Sequence, residues 1–239
     1  NYLHVGNRVT EIQDGAFQDC KGVNFMTGIP VNLTVLGDNA FNGCSSMVAD
    51  IVIPDGVINI SQGAFQDCDS ITSLKIGKNV QDIGDFAFSE CKNIKSISGA
   101  FESLKTIGLN AFFNCERMAG NIVFPNAVEI IPNYAFFGCR SLNSIKFGDS
   151  LREIGDYAFY YCINLTGKLD LPSTLYSLGN YSFCGCYNLT GVLSIPPYVQ
   201  EIKEYAFYYC KGITELQMTN NITTIYQSAF SNCEELTSI

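Results

Sequence analysis

The chain has 239 residues, of which 47% are hydrophobic and only 15% are charged, and its formal net charge is −9. Such an acidic surface repels the phosphate backbone, so we expect no nucleic-acid partner. Lysine and arginine total 14 and form no run, and no apolar stretch approaches the ~20 residues of a membrane span. We therefore expect no direct membrane insertion of this chain.

An Ala-Phe pair recurs along the whole chain, with Ser182 in place of Ala in one copy. The phenylalanines are 23 or 24 residues apart, at Phe17, Phe41, Phe65, Phe88, Phe112, Phe136, Phe159, Phe183, Phe207 and Phe230. A cysteine follows each of them by three residues, at Cys20, Cys44, Cys68, Cys91, Cys115, Cys139, Cys162, Cys186, Cys210 and Cys233. Ten of the eleven cysteines therefore occupy one position of one repeat.

Each unit contains the same predicted elements in the same chain order. The Ala-Phe-x-x-Cys segment is too short for a full helix and predicts a helical turn or a 3₁₀ segment, with Phe and Cys inward. The alternation that follows, as in Ile145-Lys146-Phe147, indicates a short strand with one buried face. A turn and two further apolar residues, such as Leu151 and Ile154, complete the unit. The fourth unit departs from the pattern near Gly99, where the sequence defines the strand register least well.

One such unit cannot bury its apolar residues alone, whereas stacked units cover one another and form a continuous core. The sequence therefore predicts a repeat solenoid of about ten coils of 23–24 residues, strand-rich, with short helical or 3₁₀ turns, in the α/β class. A parallel sheet is expected on one face. We interpret residues 1–239 as a single solenoid domain, a fragment of a longer protein with both ends cut within or near a repeat.

The stretch Leu142-x-x-Ile145-x-Phe147 is similar to the LxxLxL signature of leucine-rich repeats. The whole unit, with its Ala-Phe-x-x-Cys segment, resembles the BspA-like leucine-rich repeat family over essentially the entire chain. The resemblance implies a leucine-rich-repeat horseshoe or arc. It also implies a surface or secreted protein of a bacterium or protist that adheres to host proteins or other cells.

The cysteine pattern predicts neither a metal site nor a catalytic thiol. Zinc sites need ligands paired within a few residues, and the C-x-C formed by Cys184 and Cys186 has no second pair or histidine beside it. The only histidine is His4, at the start of the chain, so no cofactor or metal is expected.

Two alternatives remain for the ten in-register cysteines. Adjacent coils place equivalent Cα atoms about 4.8 Å apart, which is within the range of a disulfide. Side chains in a ladder point parallel, however, which favours free cysteines that fill a regular core position. Cys184 lies one residue after the Phe, at a position expected to face outward. It is predicted to be the exposed thiol, unless it reflects drift at a tolerant surface site.

Two outward columns are candidate binding surfaces. The first lies on the strand face, between the paired apolar positions, and contains Lys75, Val123, Lys146, Asp170, Ser194 and Gln217. Its chemistry is mixed, so the alternative is a solvated sheet face. The second is an aromatic ridge beside Ala-Phe that contains Tyr134, Tyr157, Tyr160, Tyr181, Tyr205 and Tyr208. Tyrosine suits recognition surfaces, and the alternative is a set of rings that stack to stiffen the turn.

The sequence predicts a protein without enzymatic activity, because it has one histidine, no Gly-rich phosphate loop and no nucleophile elbow. We expect a protein-binding or adhesion module that binds proteins or surface glycans through outward solenoid faces. The alternative is a structural spacer that displays another domain and has no ligand of its own. Open strand edges on the terminal coils also predict possible end-to-end self-association.

Overall fold

The computed structural model describes residues 1–99 and 101–238 and forms a parallel β-solenoid of about ten turns with almost no helix. The predicted repeat solenoid is thus confirmed. One ladder of parallel strands, of two to six residues each, lies on the side here called the strand face: β1 Tyr2–Leu3, β3 Phe25–Met26, β5 Ala49–Val52, β7 Ile71–Ile76, β9 Ser96–Gly99, β11 Gly120–Val123, β13 Leu142–Lys146, β16 Thr190–Ser194 and β18 Gly212–Gln217.

Adjacent strands on this face pair in parallel with the repeats in register. Leu74 pairs with Ile51 on one side and with Ile97 on the other, so the buried members of successive coils cover one another. The fourth unit keeps this register as far as Gly99, which pairs with Ile76. A 3₁₀ turn at Phe101–Ser103 then accommodates its irregular sequence.

A second parallel ladder, which the sequence analysis did not predict, lies on another side of the coil. Its strands have two residues each: β2 Glu11–Ile12, β4 Val35–Leu36, β6 Asn59–Ile60, β8 Asp82–Ile83, β10 Thr106–Ile107, β12 Ile130–Ile131, β14 Glu153–Ile154, β15 Ser177–Leu178, β17 Glu201–Ile202 and β19 Thr224–Ile225. Two residues are too few for alternation to reveal a strand. The available signal was the recurring dipeptide before each Ala-Phe, whose second residue is apolar in every coil.

The phenylalanines of the repeat form one continuous stack through the interior. Neighbouring rings from Phe17 to Phe230 have centroids 5.0–5.7 Å apart and are tilted by 1–11°. Those in the second to ninth coils are fully buried, and each such burial stabilises the fold by about 1.5–3 kcal/mol. The neighbouring coils supply the contacts, so each coil depends on the next.

The ten in-register cysteines form a second interior file parallel to the phenylalanines. The eight between Cys44 and Cys210 are completely buried, whereas Cys20 and Cys233 in the end coils are half-buried. From the second coil onward, each Sγ donates a hydrogen bond to the Phe carbonyl of the preceding coil at 3.0–3.3 Å. The position therefore suits a small apolar residue that also carries a donor.

The Ala-Phe-x-x-Cys segment folds as linked β-turns, and the predicted helical turn or 3₁₀ segment is wrong. In the second coil, for example, the amides of Ala40, Asn42 and Cys44 each bond to a carbonyl three residues earlier. Asn39 and Gly43 interrupt any helix because their φ angles are 54° and 75°. The same two positions have positive φ in all ten copies, so this segment is non-helical in every coil.

Side-chain oxygens connect the coils at the corner between the second face and these turns. Asp85 Oδ1 accepts the amide N–H of Leu109 in the next coil at 2.7 Å, and Asn133 Oδ1 accepts that of Asp156 at 2.7 Å. These bonds satisfy backbone donors at a corner where the ladder ends.

Candidate interaction surface

The side of the solenoid that carries the linked β-turns is here called the turn face. In four consecutive coils, a tyrosine precedes Ala-Phe or Ser-Phe on this face, at Tyr134, Tyr157, Tyr181 and Tyr205. Their rings stack in sequence with centroids 4.9, 4.7 and 4.6 Å apart and are parallel to within 7°. The four side chains are half-exposed, so the stack has a solvent-facing edge.

The backbone of these tyrosines is left-handed, with φ between 54° and 58°. That conformation costs an L-residue about 1–2 kcal/mol, and three of the first coils place Gly15, Asn39 and Gly63 there instead. Stacking contributes about 0.5–1.5 kcal/mol per pair in addition to the ring area that it buries, and together these gains offset the strain. Backbone strain of this kind is concentrated at functional sites.

A second aromatic column runs beside the first, one residue after each Phe of the repeat. Phe113, Phe137 and Tyr160 stack there with centroids 4.7 and 4.8 Å apart. Cys184 occupies the next position and Tyr208 the one after it. Both tyrosines are half-buried.

The prediction that Cys184 is an exposed thiol is wrong. Its exposed fraction is only 3%, because its small side chain lies in a column whose neighbouring members, Tyr160 and Tyr208, are much larger. Burial raises the pKa of the Cys184 thiol to about 12. The structure thus makes Cys184 an inert packing residue.

A third group of rings forms an open depression, here called the tyrosine cleft, which is lined by Tyr161, Tyr187, Tyr209 and Lys211 and has a volume of about 460 Å³. The Tyr187 ring lies 6.0 Å from each of the other two and is inclined to them by 71° and 82°. Tyr161 and Tyr209 also have left-handed backbones, at 55° and 61°. The sequence analysis did not select Tyr187, which follows the repeat cysteine and belongs to no aromatic column.

The strand-face residues selected from the sequence lie on the outer surface of their sheet. Lys75 pairs with Val52 and Ser98, Val123 pairs with Lys146, and Ser194 pairs with Gln217. All are exposed except Ser194, which is half-buried and donates to Gln217 Oε1 at 2.9 Å.

Asp170 lies outside the assigned strands but borders, with Lys146, a shallow depression of about 410 Å³. Its carboxylate is paired with Lys168 at 2.9 Å. Across the strand face, the structure thus brings together isolated charges and polar groups that do not converge on one point.

Among the described residues, no group of three or more His, Cys, Asp or Glu side chains is placed to hold a metal ion. All eleven cysteines are free in the structure. Burial raises the pKa of the thiols inside the file, to about 11 at Cys44 and Cys233. Such thiols are protonated and unreactive at neutral pH.

Comparison with protein families gives a match over residues 1–119 and 105–237 to the family described as "BspA type Leucine rich repeat region", in six copies. The chain belongs to this family. The resemblance of the Ala-Phe-x-x-Cys unit to BspA-type repeats is therefore confirmed. Proteins built of leucine-rich repeats are generally protein-interaction modules, and the repeat family is generally non-catalytic.

Two solved structures of bacterial leucine-rich repeat proteins are similar to this BspA-type chain. One, from Bacteroides ovatus, is 26% identical, and the match covers 97% of this chain and 70% of that one with a TM-score of 0.62. The other, described as a leucine-rich cell surface protein of Faecalibacterium prausnitzii, is 25% identical and covers 99% and 78%, with a TM-score of 0.51. The search of curated proteins gives no match.

In the part of the BspA-type chain that the structure describes, no helix has the length and apolar character needed to cross a bilayer.

Proposed function

We propose that this chain is a protein-binding module of a cell-surface or secreted protein and that it binds its partner through the tyrosines of the turn face. The observation that carries the proposal is the set of tyrosines with left-handed backbones: Tyr134, Tyr157, Tyr161, Tyr181, Tyr205 and Tyr209. Glycine, asparagine and aspartate occupy most equivalent positions in other coils. Glycine and asparagine adopt this backbone at little cost, whereas tyrosine adds a large contact surface that suits recognition.

The location of the tyrosines supports the same surface. Nine of the thirteen tyrosines in the chain lie on the turn face between residues 134 and 209. Tyrosine provides a large rigid contact area with a polar tip and is enriched where protein partners bind most strongly. The first five coils lack such tyrosines, so the proposed epitope is confined to the sixth to ninth coils.

Placement at the cell surface, and adhesion as the biological role, are proposed on family membership. The Faecalibacterium prausnitzii relative is described as a cell surface protein, and leucine-rich repeats generally mediate protein interactions. A surface protein that binds other proteins through a localised epitope would act in adhesion.

The test immobilises the whole chain and measures binding of purified extracellular matrix proteins, cell-surface glycans and the chain itself. The turn-face variant combines Tyr157→Asn and Tyr205→Asn, which introduce the residue that the chain itself uses at Asn39 and Asn110. The matched control combines Tyr176→Asn and Tyr198→Asn, which alter tyrosines exposed elsewhere.

We expect saturable binding of a protein that the turn-face variant loses and the control retains, with both variants folded at the assay temperature, as circular dichroism verifies. Binding that survives in the turn-face variant but is lost on changing Lys146 and Gln217 would move the site to the strand face. Absence of saturable binding to every probe would instead support the structural spacer.

A further inference from the structure

The tyrosine cleft differs from the stacked columns because its rings meet edge to face. Stacked neighbours on the turn face lie 4.6–4.9 Å apart, whereas Tyr187 lies 6.0 Å from Tyr161 and from Tyr209 and stands nearly perpendicular to both. With Lys211, the three rings line an open depression of about 460 Å³. An aromatic depression of this kind provides a place for an apolar ring of a ligand.

Gly185 allows the cleft to form. Gly185 occupies the same position of the repeat as Tyr161 in the preceding coil and Tyr209 in the next coil, and its φ is 76°. A Cβ atom at this residue would lie 2.9 Å from Cδ2 of the Tyr161 ring. The Tyr161 ring therefore extends over Gly185 into space that a side chain would occupy, and this interrupts what would otherwise be a third continuous column.

Every polar group of the cleft can donate a hydrogen bond, and the phenol oxygens can also accept one. The polar groups are three phenol hydroxyls and the Lys211 ammonium, whose carboxylate partner Glu234 lies 2.6 Å away. Burial raises the pKa of Tyr187 to about 12, so its hydroxyl stays protonated beyond the pH at which an ordinary tyrosine ionises. A complementary ligand offers acceptors and an apolar ring, and a sugar matches less well because its ring carries hydroxyl groups around its rim.

A cationic ligand also matches poorly. Lys211 Nζ lies 5.6 Å from the centre of the Tyr209 ring, so the chain's own ammonium already holds the cation–π position on that wall. A quaternary ammonium group would meet a like charge there. The cleft thus disfavours a cationic ligand.

Proline has the required chemistry, because it is an apolar ring that carries a backbone carbonyl and no N–H. In a polyproline II helix these carbonyls have no internal partner, and three residues rise about 9.3 Å. Tyr161 and Tyr209 are equivalent residues two coils apart, which separates their backbones by about 9.6 Å. Two prolines three residues apart therefore match the spacing of the two outer walls.

We propose that the tyrosine cleft binds an extended segment of a partner protein in which prolines recur at every third position. The inference rests on the proposed function, since it specifies the part of the partner that the turn face receives. Lys211 and the phenol hydroxyls donate to the carbonyls of the segment, while its prolyl rings contact the aromatic faces.

The experiment measures fluorescence anisotropy of labelled, capped peptides against the whole chain. The probes are decaproline, an alanine-based decapeptide with proline at every third position, and one with proline at every second position. We expect saturable binding of the first two with a Kd of about 1 mM or tighter. The peptide with proline at every second position should bind at least threefold more weakly than the one with proline at every third.

Tyr187→Ser should weaken decaproline binding at least tenfold, because it removes the central ring at a position with an ordinary backbone. Tyr161→Asn with Tyr209→Asn should do the same, since Asn114 and Asn232 show that asparagine is accepted at this place in the coil. Tyr176→Ser is the matched control and should leave binding unchanged. Circular dichroism melts verify that every variant is folded.

Three results would overturn the inference. These are no binding of decaproline, binding that Tyr187→Ser leaves intact, and binding of N-acetylglucosamine oligomers or tetramethylammonium that decaproline fails to displace. If decaproline does not bind but the Tyr157→Asn and Tyr205→Asn variant still loses the protein partner, only the proline inference fails. If neither surface affects any partner, the proposed function fails as well.

Discussion

The tyrosines of the turn face make a quantitative prediction at Tyr181, the residue with a stacked neighbour on each side. Its ring lies 4.7 Å from Tyr157 and 4.6 Å from Tyr205, and its backbone is left-handed at φ 55°. Replacement by alanine removes two stacked pairs, worth about 1–3 kcal/mol together, and keeps an unfavourable backbone. Replacement by asparagine removes the same pairs but relieves much of the backbone strain, because asparagine tolerates this region.

We therefore expect Tyr181→Asn to be more stable than Tyr181→Ala by about 1 kcal/mol. Relative to the parent chain, Tyr181→Asn should lose about 1–2 kcal/mol, because the relief of strain offsets only part of the lost stacking and ring burial. Urea denaturation followed by circular dichroism measures both differences. Tyr160, which stacks on Phe137 and lacks positive φ, provides the control, and asparagine should have no such advantage over alanine there.

Equal stability of the two Tyr181 variants would refute the backbone argument. A loss of more than about 2 kcal/mol in Tyr181→Asn would show that stacking far exceeds the strain. In that case the ridge serves cohesion, as the alternative interpretation of the sequence holds, and the main support for a recognition role disappears.

Four further predictions concern the interior and the corners of the coils. Phe136→Ala should lower the free energy of unfolding by about 3–5 kcal/mol, because the Phe136 ring is fully buried between Phe112 and Phe159. Phe230 is half-buried in the last coil, so Phe230→Ala should cost less than half as much in the same urea titration. Asp85→Ala should cost about 1–2 kcal/mol by leaving the Leu109 amide without its acceptor, whereas Asp85→Asn should be nearly neutral, and equal losses would contradict the bond. Iodoacetamide at pH 8 should label Cys20 before Cys184, as mass spectrometry can verify. Burial raises the thiol pKa from 9.0 to about 11 at Cys44, so the unfolded chain loses its thiol protons at a lower pH than the folded chain. The thiol contribution to the free energy of unfolding should therefore be constant below pH 8 and fall above pH 9.

The solenoid could be predicted from the sequence because ten repeats report the same columns independently. The apolar spacing predicts the phenylalanine and cysteine files. The 23-residue step from Phe65 to Phe88 also relates Lys75 to Ser98, and these two residues pair in the register of β7 with β9. The second ladder escaped prediction because a two-residue strand such as Thr106–Ile107 has no period of its own.

The backbone conformation of the turns could not be predicted from the sequence pattern. Gly15 and Asn39 indicate left-handed φ at the position before Ala-Phe, but Tyr157 and Tyr205 at the same position suggest ordinary backbone, and the pattern was read as a helical turn. Cys184 was placed outside because burial was inferred from its position alone, whereas the size of Tyr160 and Tyr208 decides it. The position of Tyr187 in the tyrosine cleft could not be predicted from the repeat pattern. It depends on the missing side chain at Gly185 and on tyrosines of the two neighbouring coils.

The central claim is that the inward files hold the coils together and the tyrosines of the turn face bind the partner. The most direct test compares two triple variants of the whole chain for binding of the protein partner and for melting temperature. One variant carries Tyr161→Asn, Tyr187→Ser and Tyr209→Asn, and the other carries Val123→Ser, Lys146→Ser and Gln217→Ser. The account predicts that the first loses the partner, the second keeps it, and both melt close to the parent chain. Loss of the partner in the second variant alone would contradict it.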